Sequence, residues 1–252
     1  DQYLINHGYK FTNNSFESGG YAIFKNKKLT LAIDIGPSPE KKFSRDYQCG
    51  TLSFEIISNN KKLICNSGYF QKNKHKLNYI SRLSANHSTL VIDNHSSCKI
   101  NSSKQEIVQG LKILKKTFIM EKNYWNICAS HDGYSKRYGI IHERQIEFFS
   151  ENNKFIGQDK LLKKKNFKSS SFEIRFHLEP NVKIMKTQDE KSILIDIENE
   201  GWKFTCPGFK IDIETGLYFG KKNSFTENKN LFIAGITQNN DQTIKWEFEK
   251  IT

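Results

Sequence analysis

Strict alternation of apolar and polar residues constrains this chain more than any other feature. Phe172, Ile174, Phe176 and Leu178 alternate with Glu173, Arg175 and His177. Successive side chains of an extended backbone point to opposite faces, so this spacing predicts a strand with one buried face. The same period recurs at Ile193, Ile195 and Ile197, at Trp202, Phe204 and Cys206, and at Phe209, Ile211 and Ile213, and it closes the chain at Ile244, Trp246 and Phe248. In the first half it predicts strands over residues 29–35, 51–57, 62–66 and 88–93, then 112–121, 125–130, 140–149 and 155–162. Asn, Gly, Lys and Asp bound the runs, as turns of an antiparallel meander require.

Only residues 103–111 carry a helix signal, a cap and a first turn, in a stretch that is short and contains Gly110. About fifteen strands exceed one immunoglobulin-like sandwich and suit an all-β fold of two large antiparallel sheets. Residues 71–86 lack a strand pattern and read as an ordered functional loop or flap. No linker, repeat or composition shift divides residues 1–252, which read as one domain. Chain length and the 19 Phe, 10 Tyr and 3 Trp supply enough apolar surface for a core and exclude disorder. Apolar runs of about six residues are too short to span a bilayer as helices. The chain starts at Asp1 with no signal peptide, which suggests a segment cut from something longer.

Net charge is +12, which favours anionic partners. Only five of the 39 basic residues are Arg, however, and 24 residues are Asn, a composition that AT-rich coding DNA produces by itself. A nucleic-acid surface would need more Arg and clustered aromatics, so nucleic acid is not expected as a partner. Cys49, Cys65, Cys98, Cys128 and Cys206 are odd in number and scattered, which predicts buried thiols rather than disulfides or a zinc ribbon.

Three segments could carry chemistry. His131, Asp132, Gly133 and Tyr134 precede Arg137, His142 and Arg144. The Asp-Gly turn starts the next strand near Tyr138 and puts His142 and Arg144 on one face. Two His and two Arg at one hairpin can bind a carboxylate or sulfate, or they can form a buried ladder that pins strand register. His87 stands just ahead of a strongly β stretch, a position more often structural than functional. The third segment runs from Asp34 through Cys49–Glu55 to Asn66 and Gly68 as strand, loop and hairpin. No phosphate-binding loop, GxSxG, HExxH or dinucleotide fingerprint is present.

In this order, GTLSFE at 50–55, Asn66-Ser67-Gly68, the AxHSTL pattern at 85–90 and HDGYxxRxGxxHER at 131–144 are specific together. The chain resembles the C-terminal β-sandwich domain of the heparinase II/III-like polysaccharide lyases over nearly its whole length. Ile174–Leu178 and Gly201, Trp202 and Phe204 match as well. The resemblance implies a bacterial parent, periplasmic or envelope-associated although a cytoplasmic site stays open. That parent would pair this sandwich with an N-terminal helical toroid and cleave anionic uronic-acid polysaccharides by β-elimination. Its acid/base Tyr and part of its charge-neutralising set would come from the toroid, so this chain alone is expected to be inactive.

Metal-bearing members carry His-x-His-x-Asp ahead of LSFE and an Asp on the next strand pair. Those positions read Asp46, Gln48 and Gly50, and then Asn66, leaving His87 from the zinc set. Two amides and one imidazole suit Zn²⁺ poorly, so no metal and no other cofactor is expected. The resemblance thus places Asp46 and His87 at cleft positions without assigning either a catalytic role. It marks Gln48, Asn66, His87, His131, Arg137, His142 and Arg144 as candidates for contact with an anionic glycan. The alternative is a non-catalytic module that binds an anionic glycan or envelope polymer.

Overall fold

A computed structural model describes residues 17–72 and 74–252. The strands of the first half are β1 (Glu17–Ser18), β2 (Tyr21–Lys25), β3 (Leu29–Asp34), β4 (Phe54–Ser58), β5 (Lys61–Cys65) and β6 (Leu90–Ile92). A small pair follows, β7 (Lys99–Ile100) and β8 (Ile107–Gln109). Next come β9 (Ile113–Met120), β10 (Tyr124–His131), β11 (Ile140–Phe149), β12 (Lys154–Lys163), β13 (Ser171–Leu178) and β14 (Lys183–Lys186). The last are β15 (Ser192–Ile197), β16 (Glu200–Thr205), β17 (Asp212–Tyr218), β18 (Thr226–Ile236) and β19 (Gln242–Lys250). The α-helices are α1 (Lys76–Ser81) and α2 (Ser135–Tyr138).

One nine-stranded sheet runs β1-β2-β3-β4-β5-β13-β18-β17, with β6 added to β13. The eight-stranded sheet runs β14-β15-β16-β19-β12-β11-β10-β9. Their facing side chains meet as the period-two pattern requires. Phe54 of β4 stacks on Trp246 of β19 at 5.2 Å between ring centroids, Phe24 stacks on Trp125 at 5.9 Å, and Phe176 packs against Phe204 and Phe248. The fold is therefore an all-β sandwich of two large antiparallel sheets, as expected, with the aromatic side chains filling the space between layers.

The departures from expectation are local. Nineteen strands stand among the described residues against about fifteen expected; two- and three-residue strands are too short to show a period. Residues 103–111 hold no helix. Asn101 accepts hydrogen bonds from the Ser103 and Lys104 amides through Oδ1, closing a turn, and β8 then pairs with β7. Phe209 and Ile211 lie ahead of β17 rather than in it. The strand after the Asp132-Gly133 turn begins at Ile140, because one helical turn comes first and Gly139 ends it in the left-handed region at φ 65°. The segment at 71–86 carries α1, which buries its own Asn78 and Ser81 and the Arg82 that caps it. Among the described residues no helix is long and apolar enough to cross a membrane.

Candidate functional site

The end of β3, the 44–53 loop, the β5 exit and His87 enclose a cleft of about 520 Å³. The loop turns sharply: Leu52 sits at φ 65°, Ser53 N–H donates to the Gly50 carbonyl at 2.7 Å, and Leu52 N–H to Asp34 at 2.8 Å. Arg82, fully buried, lashes its outer limb by donating to the carbonyls of Tyr47 (2.8 Å) and Ser44 (2.9 Å). Gly50 is required by close approach, since a Cβ there would lie 2.9 Å from His87 Nδ1.

Four positions singled out in the sequence, Asp46, Gln48, Asn66 and His87, line this one cleft although they span 42 residues of chain. His87 is buried, and its Nε2 has no hydrogen-bond partner among the described residues. Burial, then the neighbouring His177, pushes the imidazole down to about 3, so it is neutral at pH 7. Asn66 is committed: its Oδ1 accepts from Ser88 N–H at 2.9 Å, and its backbone N–H donates to Glu55 Oε1 at 3.2 Å. Asp46 Oδ1 accepts from the Tyr69 hydroxyl at 2.9 Å, and that hydroxyl accepts from Asn78 Nδ2 at 2.9 Å. Burial raises the Tyr69 phenol, so it stays a proton donor.

The zinc set of the metal-bearing relatives does not fit these residues. Among the described residues His87 is the one imidazole lining the cleft, Gln48 offers a neutral amide, and the Asn66 side-chain oxygen already serves Ser88. Among the described residues no three His, Cys, Asp or Glu side chains are grouped to hold a metal.

Sequence reasoning missed Tyr21 and Tyr69 and gave Asp34 and Glu55 no role beyond bounding a segment, yet all four line the cleft. Tyr69 follows the Asn66-Ser67-Gly68 motif directly, a signal that could have found it. Burial pushes the Asp34 carboxyl up to about 6 against the opposing pull of Gly36 N–H. Three carboxylates, Asp34, Asp46 and Glu55, thus face the cleft, and no Lys or Arg lines it among the described residues.

The remaining candidates do not join this site. His131, His142 and Arg144 are 0–1% exposed inside the sandwich, so on this domain they cannot touch a glycan. That corrects their assignment as contact residues and selects the buried-ladder reading. Gly133 N–H donates to His131 Nδ1, which leaves His131 Nε2–H to donate to His142 Nδ1 at 3.3 Å. His142 Nε2–H then donates to Asp159 Oδ1 at 2.6 Å. Arg144 takes the same carboxylate and also donates to the carbonyls of Leu52 (2.8 Å) and Ser88 (2.6 Å). The hairpin therefore supports the cleft from below, because Leu52 and Ser88 adjoin its floor. Arg137 is exposed and lines a separate cleft.

The comparisons agree with this architecture. The family model described as "Heparinase II/III-like, C-terminal" matches residues 10–247. The heparan sulfate lyase HepC from Pedobacter heparinus superposes with TM-score 0.78 at 14% identity, over 99% of this chain and 38% of that one. The heparinase III BT4657 gene product gives TM-score 0.75 at 16% identity, over 99% and 38%. A further heparinase III structure gives 0.73 at 14% identity, over 96% and 37%. The chain thus spans well under half the length of these structures. No curated protein matches it in sequence.

Proposed function

Because the chain belongs to the heparinase II/III-like C-terminal family, we propose that it is the sandwich half of a polysaccharide lyase acting on an anionic uronic-acid polymer. One observation carries this reading: Asp46, Gln48, Asn66 and His87, four positions aligned from three separate segments, converge on a single cleft. In β-elimination a base removes the proton α to the uronate carboxylate, the developing enolate is stabilised, and the 4-linked sugar leaves with a proton. The residues of this cleft suit hydrogen bonding and proton handling. Neutral His87 has a ring nitrogen that is buried and without a partner among the described residues, and Tyr69 is a protonated phenol paired with Asp46. They do not suit neutralisation of a carboxylate, because only acidic and neutral groups line the cleft among the described residues. That cationic set is assigned to an N-terminal helical toroid closing over the cleft, in a bacterial periplasm or envelope where such polymers are met.

The test compares the parent protein with this chain on heparan sulfate and other uronate polymers, following the ultraviolet absorbance of the unsaturated product. Product from the parent, none from this chain, and loss of product in the parent's His87→Ala variant are expected. A folded parent that releases no unsaturated product from any of them would defeat the lyase reading. A second reading, a non-catalytic module for an anionic glycan or envelope polymer, draws on the amides at Gln48 and Asn66, where the metal-bearing members carry His and Asp. It predicts retained polymer binding by that inactive parent.

A further inference from the structure

A second cleft, about 380 Å³ in volume, lies between the 94–100 segment and the turn at 133–138. Its walls are set by the backbone. Asp93 and Asn94 take left-handed φ values of 49° and 57°, which reverses the chain after β6 and carries it toward the HDGY turn. There Gly133 permits contact, because a Cβ would fall 2.5 Å from the Ser97 carbonyl oxygen. Arg137 projects from α2 with its guanidinium 5.4 Å from the centroid of the Tyr138 ring. That ring is anchored in turn, its hydroxyl donating to Asp93 Oδ2 at 3.2 Å and lying 2.7 Å from His95 Nδ1.

The charge distribution distinguishes this cleft from the first. Arg137 and Lys99 line it, both exposed, and neither has a carboxylate partner among the described residues. Among the described residues no Asp or Glu lines it, and the nearby Asp93 is turned onto Tyr138. Half-buried Tyr79 adds apolar ring surface beside the edge of the buried Tyr138, and Asn94 and Gln109 add amides that can bond hydroxyls. A planar donor fork beside aromatic faces and neutral amides is what an acidic sugar requires.

We propose that this second cleft is a separate subsite for one or two units of an acidic sugar, with Arg137 and Lys99 holding a carboxylate or sulfate against Tyr79 and Tyr138. The proposal rests on the reading above for the class of ligand but not on catalysis. On this domain the two roles are divided: the first cleft carries the hydrogen-bonding groups, and the second carries the cations that an anionic chain needs to stay bound.

The test titrates the 252-residue chain with a sulfated heparin tetrasaccharide, and with a neutral glucose tetrasaccharide as control, by calorimetry and amide NMR. Binding of the sulfated probe alone is expected, with shifts at Ser97 and Gly133. The folded Arg137→Ala/Lys99→Ala variant should bind about tenfold or more weakly. The Lys27→Ala/Lys28→Ala variant, which removes the same charge from an exposed turn elsewhere, should change affinity by less than about twofold. The subsite is overturned if the chain does not bind the probe, if the shifts fall only around the first cleft, or if the two double variants weaken binding equally. Binding that meets expectation in a parent that releases no unsaturated product would sink the lyase reading and leave the subsite standing. Product release with a normal-binding Arg137→Ala/Lys99→Ala variant would do the reverse.

Discussion

Arg144 grips Asp159 with both edges of its guanidinium, Nε to Oδ1 at 2.8 Å and Nη2 to Oδ2 at 2.9 Å, and both side chains are fully buried. The pair joins neighbouring strands β11 and β12, and Trp246 of β19 donates its indole N–H to the same carboxylate at 2.8 Å. The remaining donor of Arg144 reaches across the sandwich to Leu52 and Ser88. One side chain therefore ties together the GTLSFE, HSTL and HER motifs. The stability of the sandwich and the shape of the first cleft depend on the same contact.

Arg144→Ala leaves Asp159 buried without its cation and two carbonyls without a donor. It is expected to lower unfolding free energy by about 3–5 kcal/mol, measured by urea denaturation. Arg144→Lys should rescue little, because an ammonium lacks the fork needed for Asp159 together with the Leu52 and Ser88 carbonyls. A loss within about 1 kcal/mol for the alanine variant would show that the core repacks around the vacancy.

Acid should destabilise the fold well before most of its carboxylates titrate; buried Asp34, pushed up to about 6, takes its proton early and offsets part of the loss. Burial pushes His87 and His177 down to about 3, and it also lowers His131 and His142. The unfolded chain binds a proton at each near pH 6.5 while the folded chain refuses it. Stability is thus fully present above about pH 6.5 and falls as pH drops, down to about 3 for His87 and His177, at up to about 1.4 kcal/mol per pH unit per histidine. Asp159 adds to the loss at lower pH. Burial alone would raise its carboxyl, but Arg144 and then His142 hold it well below the ordinary range. Its contribution is present above about pH 3.9 and is lost below that value. Urea midpoints at about pH 7.5, 6 and 5 should decline steadily; a flat profile would mean that the imidazoles are not held neutral.

Purified protein should carry no stoichiometric zinc, since His87 stands beside two amides. Gln48→His with Asn66→Asp should create a site that holds about one zinc per chain through dialysis. Elemental analysis decides both. About one zinc per wild-type chain would point to donors outside Gln48, Asn66 and His87.

Gly157 faces Trp246 across β12 and β19, and a Cβ at Gly157 would lie 2.0 Å from the indole. Gly157→Ala must displace that ring, which stacks on Phe54. A loss of about 1–3 kcal/mol is expected, read from the thermal midpoint with near-ultraviolet circular dichroism following the tryptophan. An unchanged midpoint and spectrum would contradict the packing.

By itself the sequence determined the longer strands and which face of each is buried. In Ser171–Leu178 and Gln242–Lys250 each apolar side chain must leave water, and the pleat offers one face for all of them. Its motifs also named the four positions that gather in the first cleft. Tertiary structure decided which polar residues are accessible. His142, Arg144 and Arg137 lie within eight residues of one another, yet the first two close a buried network and the third faces a cleft. No local pattern separates them, because the partner that buries Arg144 sits on β12 and the carbonyls it serves belong to the opposite sheet's loops. The same holds for Tyr69 and Lys99. Each gains its significance from a wall built by distant chain, and burial and charge around a side chain depend on every element packed against it.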